Sequence, residues 1–288
     1  MYQINSYEKH SLTMYHLADP ESNCWLTVCP ERGGIITNFG VQGKEKLYVE
    51  EDTLYNRDTS VRGGIPILFP ISGRLTDQKY EWNGESYSMP MHGFARDLPW
   101  EVVDTEQPEN NASITIKLVS NAQTKKYYPF DFSIAFTYTL SKENLVIDQI
   151  YHNYSEQSMP IYVGFHPYFN TPITEESFTI DCDATKYLYC KDNSVKDFEG
   201  TVIREDLFDS IILLDATEKM IKSKVDSNQV IIKTDSIFPY TVLWSQSEKE
   251  FICIEPWMAM PDELNRKKEL QYVDADTPLQ TSISIHTK

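Results

Sequence analysis

Three stretches of this 288-residue chain put ionisable side chains where general acid–base chemistry could use them. In FICIEPWMAMPDELN, residues 251 to 265, Glu255 interrupts an apolar strand one residue before a proline. If FICI is buried, this carboxylate lies near the edge of that burial, where it must be paired or have a raised pKa. The second condition makes a general base; the first makes only a buried ion pair with an arginine. In YVGFHPYFN, residues 162 to 170, His166 ends an apolar strand and is followed by Pro167, so its imidazole is offered from a stiff backbone. A satisfied core histidine among aromatics is the plain alternative. The third stretch, Arg62 to Trp100, is rich in glycine and proline and carries Arg62, Arg74, His92 and Arg96. Rigid irregular loops of this kind commonly present groups to a ligand, although its arginines could equally meet some of the chain's many carboxylates.

The elements that must position these residues read as strands. Apolar and polar positions alternate, with β-branched and aromatic enrichment, in WLTVC (25 to 29), ASITIKLV (112 to 119), DFSIAFTYTL (131 to 140) and NLVIDQIYH (144 to 152). The style continues through MPIYVGF, SFTIDC, QVIIKTD, YTVLWS, EFICIEPW and TSISIHT. The polar connection Ser141-Lys142-Glu143-Asn144 suits a hairpin. Helical periodicity is absent beyond a turn around Pro261 to Asn265. The pattern predicts an all-β protein, one domain over residues 1–288, as a large antiparallel β-sandwich of two sheets packed face to face. No strand leads into a glycine-rich turn and a helix, which excludes the dinucleotide-binding folds.

Composition narrows the partners. Hydrophobic residues make up 41% and charged residues 24%, as in ordinary globular proteins. The net charge of -17 repels nucleic acid and anionic membrane surfaces at long range, so neither is an expected partner. A phosphorylated ligand would need its own local cluster of arginines. The amino terminus lacks a basic start with an apolar run, and no 18 consecutive apolar residues occur, so a cytoplasmic location is expected. Cys24, Cys29, Cys182, Cys190 and Cys253 are odd in number and lack C-x-x-C spacing. They read as five buried thiols, not as disulfides or a structural zinc site.

Together RGGIPILFP (62 to 70), MHGFARDLPW (91 to 100), GFHPYF (164 to 169) and ICIEPW (252 to 257) resemble, in the same order, the motifs of the aldose 1-epimerase (galactose mutarotase) family, in particular its hexose-6-phosphate 1-epimerases. The resemblance implies a galactose mutarotase-like β-supersandwich and a sugar or sugar phosphate as ligand, with no cofactor and no metal. It also implies roles: His166 as general acid, Glu255 as general base, and His92 as a hydrogen-bonding partner of the sugar. Arg62 and Arg96 match phosphate-binding positions of the hexose-6-phosphate branch, and Arg74 is closer to the arginine of free-sugar mutarotases. Asp209 is the best match for an aspartate that binds sugar hydroxyls, with Asp206 and Asp215 as alternatives. Trp257 and Phe165 are candidates for packing on a sugar face. An unperturbed imidazole, with pKa near ~6.5, would be partly protonated at neutral pH and so able to act as the acid. Two rival readings remain: a sugar-binding module without catalysis, and a metal-dependent enzyme with His92, His166 and Glu255 as ligands.

Overall fold

Strands form where apolar and polar residues alternate. Ala112–Val119, Phe132–Ser141 and Asn144–Asn153 bury every second residue. The hairpin expected at Ser141 to Asn144 is present: those two residues face each other, and the register runs on without a break to Phe132 opposite Asn153. The computed structural model describes residues 1–216, 220–225 and 228–287. Among them, these three strands belong to a nine-stranded antiparallel sheet in which Pro278–Thr287 pairs with Asn144–Asn153 on one side and Asn228–Thr234 on the other.

A second sheet of eight strands carries Glu255 and leads into His166. Its centre is Phe251–Trp257, buried along its whole length, with Tyr240–Trp244 on one side and Gly164–Phe165 and Tyr168–Asn170 on the other. Because side chains alternate across a strand, Ile252 and Ile254 join the main core, whereas Cys253, Glu255 and Trp257 share the opposite face. The two large sheets meet through an aromatic layer. Phe69 lies 5.1 Å from Phe132 and 6.0 Å from Tyr151 between ring centroids, and Phe165 lies 5.7 Å from Phe136. That packing holds the strand bearing Glu255 against a thick hydrophobic support.

The expected pair of sheets is joined by a third. Five strands spanning Gln3 to Glu45 form an amino-terminal sheet, tied to the rest by a bridge between Ile36 and Ile65 and by the Tyr138 hydroxyl, which donates to the Gly34 carbonyl at 2.8 Å. Its first strand, Gln3–Lys9, is an edge strand with most side chains exposed, so it carries little apolar alternation. The helix Glu51–Tyr55 was likewise unexpected, being too short to show a period. Arg32 braces it from beneath, donating to the carbonyls of Thr53, Leu54, Asn56 and Thr59. The turn expected at Pro261 to Asn265 overlaps the short helix Glu263–Arg266. All five cysteines are free, but only Cys24, Cys29 and Cys253 are buried. Cys182 and Cys190, just past the ends of strands Ser177–Asp181 and Lys186–Tyr189, are partly exposed, which corrects the expectation of five buried thiols. No helix among the described residues is long and apolar enough to cross a membrane.

Candidate active site

Two antiparallel neighbours bring the acid and base candidates together. His166 directly follows Gly164–Phe165, and Glu255 lies on the strand paired with it. The His166 backbone N–H donates to Pro66 at 3.1 Å, which fixes where the ring starts. Nε2 of His166 then stands 3.3 Å from Oε1 of Glu255. Glu255 is only 2% exposed and His166 7%, so the carboxylate sits deeper than the burial edge suggested by its place before a proline. Its other oxygen accepts the indole N–H of Trp257 at 3.1 Å.

Burial disfavours charge on both groups. It pushes the Glu255 carboxyl well above the usual range, against the pull of the Trp257 hydrogen bond and the Arg96 charge. It pushes the His166 imidazole down to about 3, with the positive charges of Arg96 and Arg62 adding to the effect. An imidazole partly protonated on its own account at neutral pH is therefore not what the structure holds. At 3.3 Å the two groups can share a proton, as carboxylic acid and imidazole or as carboxylate and imidazolium.

His92 completes one wall. Its ring centroid lies 5.5 Å from that of His166 and 5.8 Å from that of Trp257, edge-on to both. The backbone is in the left-handed region, φ 67°, an uncommon conformation for a side-chain-bearing residue. Gly73 holds it there twice: its carbonyl accepts the His92 N–H at 2.6 Å, and its own N–H donates to His92 Nδ1 at 3.0 Å. With Nδ1 accepting, the ring proton is on Nε2, so His92 is a neutral donor. Burial, followed by His166, Arg96 and Arg74, holds its pKa well below the ordinary value. Close approach also requires glycine at 164, where a Cβ would lie 2.7 Å from Cδ1 of Trp257.

The arginines divide. Arg96 is partly buried; it donates to the Met91 carbonyl at 3.0 Å, and its Nε, without a hydrogen-bond partner, lies 3.8 Å from Asp97 Oδ2. Arg62 is exposed and donates to Gln246 at 3.1 Å, close enough for its charge to act on Arg96 and His166. Arg74, also exposed, reaches the Met91 sulfur at 3.9 Å and bears on His92. The aspartates stand elsewhere. Asp209 pairs with Lys191 at 3.0 Å just before a strand two removed from that of Glu255, and Asp215 accepts from the Thr185 and Lys186 amides. Asp206 bears on Tyr187 and Tyr189. Phe165, considered as a sugar platform, faces the aromatic core.

Three neighbours had not been singled out. Tyr168 stacks on His166 with centroids 4.7 Å apart, and Trp244 meets the same ring edge-on at 5.7 Å. Cys253, fully buried, shares the Glu255 face: its sulfur, a His166 ring nitrogen and a Glu255 oxygen all lie within 4.8 Å of one another. His92 is not part of that group. The period-two pattern of FICIEPW put Cys253 and Glu255 on one face; nothing in the sequence linked that face to His166.

The antiparallel β-sandwich is the fold that the resemblance to aldose 1-epimerases implied. The sequence profile of the aldose 1-epimerase family matches residues 22–285, and the chain belongs to that family. The Slr1438 protein of Synechocystis sp. PCC 6803 superposes with a TM-score of 0.90 at 31% identity, covering 96% of this chain and 95% of that one. A galactose mutarotase related enzyme from Lactobacillus acidophilus shares the fold, with a TM-score of 0.75 at 24% identity over 99% and 97% of the two chains. A Salmonella typhimurium protein provisionally named glucose-6-phosphate 1-epimerase is 28% identical over 127 residues, 44% of this chain. The match spans only 38% of that relative's length.

Proposed function

We propose that this protein interconverts the α and β anomers of a hexose 6-phosphate, with Glu255 and His166 as its base and acid. The observation that carries the reading is their 3.3 Å contact in a nearly solvent-free position. Ring opening requires a proton to leave O1 while another reaches O5. Starting from carboxylate and imidazolium, Glu255 takes the O1 proton and His166 gives one to O5, leaving two neutral groups and the open-chain aldehyde. Rotation about the C1–C2 bond and reclosure with the roles reversed deliver the other anomer and restore the pair. The unit ends with the one proton it began with, and the step needs no outside donor. His92 offers its Nε2 proton to a sugar oxygen, and Trp257 orients Glu255 while presenting an apolar flank. Asp209 has no part in this reading.

The phosphate is assigned to Arg96 and Arg62. In a chain of net charge -17, an anionic substrate is held only where cations are concentrated, and an arginine whose Nε makes no hydrogen bond can supply forked, charge-assisted bonds. The test is anomer exchange by NMR with glucose, galactose and their 6-phosphates, in the presence of a chelator. The phosphosugars should exchange faster than the free sugars, and Arg96→Ala should remove that advantage, about 10- to 100-fold for a hydrogen bond to a charged group. Faster exchange of free sugars, unchanged in the variant, would replace the phosphosugar reading with that of a free-aldose mutarotase. His166→Ala should lower exchange by about 10²- to 10⁴-fold, or roughly 3–5 kcal/mol of barrier; full activity in a folded variant would remove the mechanism.

A further inference from the structure

We propose that His166, Cys253 and Glu255 form a site for a single thiophilic divalent cation, with zinc the ion it fits, and that this ion shuts the epimerase off. The argument begins with the donor set. Thiolate, imidazole and carboxylate are the ligand types zinc accepts, and three protein ligands with a fourth position left for water is the arrangement of zinc sites open to small molecules. Magnesium and calcium, which prefer oxygen ligands alone, are disfavoured by the sulfur.

The geometry is close to what the ion needs. With bonds of about 2.0–2.1 Å to nitrogen and oxygen, the edge of a zinc tetrahedron is about 3.3–3.4 Å, and the His166 Nε2 to Glu255 Oε1 separation is already 3.3 Å. A His166 ring nitrogen, the Cys253 sulfur and a Glu255 oxygen all lie within 4.8 Å of one another, so reaching the edges of about 3.6 Å between sulfur and nitrogen or oxygen around zinc requires closing by no more than about 1.2 Å. A second shell is present: Trp257 donates to the carboxylate oxygen that faces away from His166, and Tyr168 stacks on the imidazole. Binding releases the Cys253 thiol proton to solvent. Thiolate and carboxylate then neutralise the two charges of the ion, so Arg96 opposes it little.

The consequence rests on the function proposed above. A cation held by His166 and Glu255 occupies both proton-transfer groups, so zinc and sugar exclude each other, and Cys253 becomes the residue through which metal status is read.

Cobalt(II) tests this independently of activity. Added to chelator-stripped wild-type protein, it should give the visible bands of tetrahedral coordination together with a near-ultraviolet thiolate charge-transfer band, and zinc should bleach both. Cys253→Ser should lack the charge-transfer band and bind zinc at least about tenfold more weakly. A wild-type spectrum without thiolate charge transfer overturns the site whatever the variant does, as does equal zinc affinity in the variant. Anomer exchange followed in the same titration should fall as the band rises. If the band forms and exchange continues, the cation site stands and the acid–base assignment falls.

Discussion

Glu255→Gln should make the protein more stable while nearly abolishing anomer exchange. Glutamine preserves the side-chain volume, so no cavity opens. Its carbonyl can keep the Trp257 N–H, now 3.1 Å from the carboxylate, and its amide can donate to Nε2 of His166. What disappears is an ionisable group at a 2% exposed position. The sign follows from the raised folded pKa. Below the ordinary value of 4.5 the carboxyl is protonated in both folded and unfolded chains and favours neither. As pH rises from there through the folded pKa, the unfolded chain gives up its proton first, so wild-type stability is progressively lost. Glutamine does not titrate and escapes the loss. The desolvation cost relieved for a single buried group is on the order of 1–3 kcal/mol, which at roughly 2 °C per kcal/mol for a chain of this size is about 2–6 °C in Tm. Calorimetry near pH 4 and near pH 7 checks it, with exchange measured in parallel. The gain should be present at neutral pH and vanish near pH 4. A variant no more stable than wild type at pH 7, or equally stabilised at both pH values, would refute the burial argument. Exchange within tenfold of wild type would refute the role of base.

Three further outcomes follow from the same geometry. Exchange should stay level as pH falls through about 6.5, because burial has moved His166 to about 3; a rate that rises as pH falls through about 6.5, as the imidazolium fills, would mean the ring titrates as a solvated imidazole. Trp257→Phe removes the donor that lowers the Glu255 pKa, so the alkaline limb of that profile should move upward and the rate drop about 10- to 100-fold; an unmoved limb would show that the indole does not tune the carboxylate. Gly164→Ala drives a methyl to 2.7 Å from Trp257 and 2.9 Å from the Pro256 carbonyl, costing about 1–3 kcal/mol in denaturant unfolding; wild-type stability would place the indole elsewhere.

How much of this was legible in the sequence depended on the range of the interaction. Alternation is local, so Ala112–Val119 and the hairpin at Ser141 to Asn144 were legible as they stand. Gln3–Lys9 was not, because an edge strand with few buried residues has little pattern to show. Within the site, Pro167 marked a stiff backbone behind His166, and the motif order pointed to Glu255 and His92. The contact between the first two depends on a pairing across about ninety residues, from Gly164 to Trp257, which no local pattern encodes. Phe165 and Trp257 looked alike as aromatics beside motif residues. They differ only in which face of the sheet each occupies, and that was set by the core-facing partners Ile252, Ile254 and Phe136.

Burying the pair has a mechanistic consequence beyond shielding it from water. Catalysis requires that the site favour the reacting state over the bound sugar. With both charges disfavoured, the resting unit tends toward neutral carboxylic acid and neutral imidazole, the protonation state that accompanies the open-chain aldehyde in the proposed cycle. The closed anomers need carboxylate and imidazolium instead. Arg96 and Arg62 lower the proton affinity of His166, and a bound phosphate would cancel much of that field, returning basicity to the imidazole when a substrate is in place. On this reading the phosphate raises kcat as well as lowering KM, because it acts on the acid and not only on binding. On the proposed cycle, the electrostatic cost of removing a histidine and a glutamate at 3.3 Å from solvent is offset when each exchanges a proton with the sugar.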